Sequence, residues 1–361
     1  MAPRTTAATS ISARTYRSER LVFLFLFLAS TAWGGRAYVS NEDGNSVTVI
    51  DTQRAEVIAT IDVGKRPRGM KVDRAGKRLF VAVSGLPKCP PTVPDEECAK
   101  LERDMNADGI AVIDTASHKV LRVLAAGSDP EQFALSADET RLFVSNEDTG
   151  RVSVVDVASG SILASIPVGH EPEGVAVAPN GHRVLVTSES DHTVSIIDAH
   201  KLQAERSVPV GQRPRDIAFT PDSSGAYVTG EFDATLFFIS LKGTEPARQV
   251  LKFRKEARPM AVHLDAPRHR LYVSTGRGGT IAVIDATQPT ALKLLAEVPV
   301  GTRPWGFALS SDGSRLYSAN GSSNDVSVVD TATLQVIKRI PVGRSPWGVV
   351  LGPDQPSPQA R

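Results

Sequence analysis

Residues 168–198 read VGHEPEGVAVAPNGHRVLVTSESDHTVSIID. The stretch holds runs at 174–178, 183–188 and 193–198, and a fourth follows at 204–210. All four are rich in Val, Ile and Ala, as short pleated strands require. Pro179-Asn180-Gly181 supplies the turn chemistry between the first two. The same order of features recurs along the chain. The final residue of the V-x-V-I-D element falls at Asp51, Asp114, Asp156, Asp198, Ser240, Asp285 and Asp330, in steps of 63, 42, 42, 42, 45 and 45. The first step exceeds a period by 21 residues, so the second unit carries an insertion, which we place at 86–108.

Four strands per unit in seven stacked copies predict an all-β, seven-bladed β-propeller. The chain opens on Ala37-Tyr38-Val39-Ser40-Asn41-Glu42, a second strand, and finishes on Ser345-Pro346-Trp347-Gly348-Val349-Val350-Leu351, a first strand. The two fragments complete one blade, so the ring should close by pairing its own terminal strands and hide its open edges.

Composition narrows the function. The net charge is +1, which gives no pull toward nucleic acid, and aromatic residues make up 6%. Arg14, Arg17 and Arg20 precede an apolar run from Leu21 to Ala29, and Ala32-Trp33-Gly34 offers small residues for cleavage. This predicts a signal peptide over residues 1–34. A retained anchor competes, but the run falls short of the ~20 residues needed to span a bilayer. Residues 35–352 are then the propeller and 353–361 a disordered tail of an exported bacterial protein, periplasmic or secreted, without a membrane span and monomeric by default. Both cysteines, Cys89 and Cys98, fall in the insertion; in an oxidising compartment a disulfide stapling that loop is expected over a metal pair.

Propeller geometry gathers distant residues at the channel mouth. The position after the repeated Pro is Arg68, Glu131, Glu173, Arg215, Met260, Trp305 and Trp347, and the position before it is Arg66, Asp129, Glu171, Arg213, Arg258, Arg303 and Ser345. Ends of second strands add Glu42, Glu147, Glu189, Glu231 and Asn320 to that face. The insertion replaces a turn there and should lie over or beside the mouth. Arginines and tryptophans together suit a planar or anionic ligand or a charged partner loop. The plainer reading is solvated charges pairing across blades and Trp packing between them. Asp104, Asn106 and Asp108 match the start of a Ca²⁺ loop, but Thr115 stands where a Glu should close it, and a polar turn is the favoured reading. His170 and His192 share the mouth face near Glu171 and Glu189, and turn histidines are the expected account. Sequence motifs for nucleophilic, dinucleotide or P-loop chemistry are absent.

Tyr38-Val39-Ser40-Asn41, Phe143-Val144-Ser145-Asn146 and Tyr272-Val273-Ser274-Thr275 resemble the YVTN family of β-propeller repeats over residues 37–352. Arg66-Pro67-Arg68-Gly69, Asp129-Pro130-Glu131-Gln132-Phe133-Ala134, Glu171-Pro172-Glu173-Gly174, Ser323-Asn324-Asp325-Val326-Ser327-Val328 and Gly343-Arg344-Ser345-Pro346-Trp347-Gly348-Val349 resemble the exported propellers associated with PQQ-dependent catabolism. That resemblance implies a periplasmic protein beside a quinoprotein dehydrogenase or its cytochrome, and it brings no established catalytic residue. The PQQ association rests on the resemblance alone.

These readings lean toward a non-enzymatic binding protein accessory to quinoprotein-linked oxidation. It would take a small anionic ligand or a redox partner through Arg68, Glu131, Glu173, Arg215, Trp305, Trp347, Glu42, Glu147, Glu189 and Glu231. One alternative is a metal-dependent hydrolase of the lactonase type using Glu131, Glu173 and Glu231; another is a pure cell-envelope scaffold.

Overall fold

Seven four-stranded antiparallel sheets form a closed ring. The structure is a computed structural model that describes Met1 and residues 33–88, 95–98, 100–353 and 355–356. The signal segment up to residue 32, the tail after Pro356 and Cys89 of the expected disulfide lie outside the described residues.

Blade 4 shows the rule. Its strands are Pro172–Val177, Arg183–Ser188, Thr193–Asp198 and Gln203–Pro209, paired in chain order. The second and third match the sequence reading residue for residue. The first begins two residues early, at the repeated Pro, because a register shift between Pro172 and Val175 lets it start at the mouth and then rejoin the ladder. Blade 1 is assembled as expected: Pro346–Leu351 pairs with Arg36–Asn41, followed by Ser46–Asp51 and Glu56–Asp62. A further two-residue pairing joins Trp33–Gly34 to Gln355–Pro356.

The core lies between blades. Tyr38, Val47, Val49 and Ile61 of blade 1 pack on Met70, Leu79, Val81 and Ile113 of blade 2. Ala37, Val39 and Ile50 meet Tyr317, Val326 and Ile340 of blade 7 and so seal the ring. Fourth strands face outward and are mostly exposed. Burying apolar area on both faces of each inner sheet is what makes seven thin blades one body.

The Ser or Thr of the Tyr-Val-Ser-Asn motif proves to be a tie between blades. Ser40, Ser145, Thr187, Thr229 and Ser274 donate to the backbone carbonyls of Arg68, Glu173, Arg215, Met260 and Trp305, at 2.8, 2.8, 3.2, 2.7 and 2.5 Å. Each hydroxyl thus fixes the residue after Pro in the following blade. Ala82 and Ala319 stand at the equivalent strand positions before Glu131 and Trp347. Thr187 Oγ1 also accepts from Gly174 N at 2.8 Å. Thr187→Val keeps the shape but leaves two buried backbone groups unpaired. We expect a loss of about 1–3 kcal/mol in urea unfolding; a loss below about 0.5 kcal/mol would contradict the role given to the hydroxyl.

Gly174 follows Glu173 at the start of its innermost strand. A Cβ there would sit 2.1 Å from the Arg215 carbonyl oxygen, so the close approach of this strand to the next blade requires glycine.

Candidate functional site

The sites proposed from sequence divide between one pocket and its walls. Glu42, Arg66, Arg68, Lys88, Glu131, Glu147, Arg213, Arg215, Arg303, Trp305 and Trp347 line a mouth pocket of about 280 Å³. Six of the seven residues before the repeated Pro hold positive φ: Arg66 44°, Asp129 44°, Glu171 50°, Arg213 53°, Arg303 57° and Ser345 52°. A bulky residue in the left-handed region before Pro is uncommon and costs backbone energy. That conformation turns the chain sharply at the mouth, so side chains on either side of each Pro reach the channel entrance. No sequence signal marked this strain, because nothing at these positions is Gly.

Two arginines organise the acids. Arg68 is 2% exposed; its Nη2 lies 2.6 Å from Asp129 Oδ1, and its Nη1 lies 3.1 Å from Glu147 Oε2 and 3.4 Å from Glu131 Oε1. Arg215 donates from Nη1 to Glu173 and Glu189 and from Nε to Glu231 Oε2 at 2.7 Å. Arg213 Nε lies 2.6 Å from Glu189 Oε2. The carboxylates hold both buried guanidinium groups firmly protonated against their burial. Arg68 and Arg215 are therefore already paired with carboxylates of the protein.

The acids differ among themselves. Burial pushes Glu131 well above the usual carboxylate range; Arg68 pulls against it, while Glu147 and Glu173 push it further up. Burial likewise raises Glu173 and Glu189 against the pull of Arg215. Glu42 goes the other way: burial would raise it, but Arg66 and Lys88 hold it below its ordinary value. Lys88, from the insertion, reaches Glu42 Oε2 at 2.9 Å, and Arg66 Nη1 donates to the Leu86 carbonyl at 2.8 Å. The insertion thus lies against the mouth, where the sequence put it.

Opposite the acids stand Trp305 and Trp347, ring centroids 5.7 Å apart and planes tilted by 48°. The guanidinium carbons of Arg303 and Arg215 lie 5.1 and 5.6 Å from the Trp305 centroid. Among the described residues Arg303 has no ion-pair partner. Burial lowers its pKa, Glu231 opposes, and the nearby Arg277 and Arg215 lower it further. A cation under-neutralised in this way favours an incoming anion. Its position before Pro was noted in the sequence, but its lack of a partner was visible only in three dimensions.

Several expected site residues do other work. Asn320 turns back into its own blade, its Nδ2 donating to Asp325 Oδ1 at 2.6 Å and Ser327 Oγ at 3.0 Å. Asp104 Oδ2 takes Lys65 Nζ at 2.8 Å, while Asp108 accepts from Gly85 N at 2.7 Å and pairs with Arg103 at 2.7 Å. His170 pairs with Asp191 at 2.9 Å, and His192 Nδ1 lies 2.8 Å from the Glu189 carbonyl. Among the described residues no group of three or more His, Cys, Asp or Glu is arranged to hold a metal ion. Glu173 and Glu231 both meet the Arg215 guanidinium, and Glu131 meets that of Arg68.

Residues 175–338 match the family model described as a lactonase, 7-bladed beta-propeller. A comparison with curated proteins finds no match. Among solved structures, the chain is similar to the Pseudomonas aeruginosa periplasmic gluconolactonase, with 22% identity, TM-score 0.71, and 89% of this chain and 99% of that one covered. It is also similar to a putative 6-phosphogluconolactonase from Bacteroides fragilis, with 15% identity, TM-score 0.70, and coverage of 90% and 99%. A third is Kuenenia stuttgartiensis hydrazine synthase, with 19% identity, TM-score 0.70, and coverage of 82% and 92%. At these identities the likeness shows the seven-bladed fold. No helix among the described residues is long and apolar enough to cross a membrane.

The expectation of a non-enzymatic, PQQ-accessory binding or scaffold protein is overturned. The family model and the gluconolactonase relatives favour the hydrolase alternative. The physical reason is plain at the mouth. Arg68 and Arg215, expected to display charge to a ligand or redox partner, are buried and paired with carboxylates.

Proposed function

We propose that this protein opens the ring of an anionic sugar lactone by hydrolysis at the channel mouth. The carrying observation is Glu131, a buried pocket carboxyl whose proton affinity is raised by burial and by its neighbours, placed beside the Arg68 guanidinium. The lactonase family model over residues 175–338 and the gluconolactonase relatives support the reaction class.

In this reading a sugar ring lies against Trp305 and Trp347, and its anionic group meets Arg303. Glu131 takes a proton from water as the water oxygen attacks the lactone carbonyl carbon. The oxyanion formed there is stabilised by the Arg68 guanidinium beside Glu131. The ring C–O bond then breaks, and the leaving alkoxide takes the proton from Glu131. One lactone and one water give one hydroxy acid. The acids do not fit a metal-held reaction, since each is committed to an arginine, and the reading routes no step through a metal. We further place the protein in the periplasm. The Arg14–Arg20 cluster before an apolar run and the periplasmic gluconolactonase relative support this.

The test is base uptake in a pH-stat with the purified protein, using glucono-δ-lactone and its 6-phosphorylated form, before and after EDTA treatment. The reading expects hydrolysis above the spontaneous rate, preference for the phosphorylated lactone, and no effect of EDTA. Rates equal to the spontaneous ones for both lactones would overturn it. Arg303→Met should raise KM for the phosphorylated lactone about tenfold to a hundredfold, the value of a charge-assisted contact of 1.5–3 kcal/mol, with little change for the neutral lactone. An equal change for both would show that Arg303 does not hold the anion.

A further inference from the structure

The face opposite the mouth carries two turns per blade, one between the first and second strands and one between the third and fourth. A backbone hydrogen bond ties these turns together in all seven blades. The carbonyl of the residue before the second strand accepts from the N–H of the residue after the third strand, at 2.8 to 3.1 Å. In blade 4 this bond runs from Ala199 N to the His182 carbonyl at 2.9 Å. Two more bonds fix the turns themselves: His182 N donates to Asn180 Oδ1 at 3.0 Å, and His200 N donates to Asp198 Oδ1 at 2.9 Å.

The frame is common to the ring, but its side chains in blade 4 are not. Blade 4 places His182 before its second strand and His200 two residues after its third. Among the other six blades only His269 of blade 6 repeats either imidazole, and Thr287 stands where its partner would be. His182 Nδ1 lies 3.2 Å from His200 Nε2, with ring centroids 5.3 Å apart and planes at 60°. Both residues are exposed.

The nitrogen separation points to a chemistry. Two imidazole nitrogens at about 2.0–2.1 Å from one ion stand about 2.9–3.4 Å apart when the angle at the ion lies between square and tetrahedral. His182 and His200 have that spacing on a rigid frame. Nearby cations are held elsewhere. Arg183 Nε donates to Glu205 Oε2 at 3.1 Å and its Nη1 to the Leu241 carbonyl at 2.8 Å, while Lys201 Nζ lies 3.4 Å from Asp198 Oδ2. Hollows of about 280 and 310 Å³ meet at the pair, and both imidazoles line both hollows. Among the described residues no third His, Cys, Asp or Glu completes the group, so water takes the remaining positions around an ion.

We propose that His182 and His200 form a surface site for one divalent transition ion of the nickel, copper and zinc class. Neutral imidazole suits these ions, and Cu²⁺ stands highest in their order of affinity. The ion replaces the proton that the two rings otherwise share: His182 Nδ1 and His200 Nε2 each give a lone pair, and each ring keeps its proton on the other nitrogen. No residue lining these hollows belongs to the mouth pocket, so the site is independent of the lactone chemistry.

The experiment is electron paramagnetic resonance of the whole untagged protein with one equivalent of Cu²⁺ in a non-coordinating buffer near neutral pH, with spin-echo modulation to count imidazole ligands. The expected result is a single Cu²⁺ species with two equatorial imidazoles. His182→Gln and His200→Gln should each lose that signal while thermal unfolding without metal stays cooperative at the wild-type midpoint. His269→Gln, in the equivalent turn of blade 6, should keep it. Fewer than two imidazoles on the wild-type ion would overturn the proposal. Survival of the two-imidazole signal in His182→Gln or His200→Gln, or its loss in His269→Gln, would overturn it equally.

Discussion

Arg215→Ala is expected to destabilise the protein by about 3–5 kcal/mol at neutral pH, the penalty for breaking a buried charge network on one side. Arg215 faces Glu173, Glu189 and Glu231, and removing it leaves those acids with each other and with Arg213 at the rim. Burial already raises Glu173 and Glu189, and without the guanidinium they would rise further. A carboxyl whose folded pKa lies above its unfolded value contributes stability that is full below the unfolded pKa. That contribution is lost as pH rises through the folded pKa. The penalty of the variant should therefore grow from pH 5 to pH 8 and shrink on acidification. Urea unfolding of both proteins at the two pH values checks this. The exposed pair of Lys65 and Asp104 is the control, since Lys65→Ala should cost below about 1 kcal/mol. A small, pH-independent loss for Arg215→Ala would show that the acids have solvent enough to stand alone.

Glu131→Gln is expected to lower kcat for lactone hydrolysis by about 10²–10⁴-fold, the usual range for a positioned acid–base group. The substitution keeps the shape and removes the proton acceptor. It leaves Arg68 with Asp129 at 2.6 Å and Glu147 at 3.1 Å, so the buried guanidinium stays paired and the fold should hold. KM should change little, because the carboxyl is asked to act on water and not on the sugar. A fall in activity that tracks a fall in melting temperature would point instead to loss of structure.

The repeat made the fold readable in detail. The V-x-V-I-D clock gave the blade count, and the half-units at Tyr38 and Trp347 gave the closure, which the pairing of Arg36–Asn41 with Pro346–Leu351 shows. Strand starts at the mouth were less legible, since the shift after Pro172 is a local adjustment that pattern cannot see. The position after Pro brings Arg68, Glu131, Arg215, Trp305 and Trp347 to the mouth pocket. What sequence could not tell was which of these charges are spent. Arg68 and Arg215 read as ligand-binding cations, yet their partners come from residues 16–79 positions away. Arg303 and Glu131, by contrast, are distinguished only by what surrounds them: one lacks a partner, the other is crowded by like charge. The serine and threonine ties were also in plain view as Tyr-Val-Ser-Asn, but their acceptors belong to the neighbouring blade.

The most direct measurement is the pH dependence of kcat/KM for the phosphorylated lactone, wild type beside Glu131→Gln. The account predicts a wild-type rate that rises with pH along a limb set by a carboxyl titrating well above the usual range, and a Glu131→Gln residue of activity in which that limb is gone. A wild-type profile that keeps the same limb in Glu131→Gln, or no rate above spontaneous opening at any pH, would contradict it.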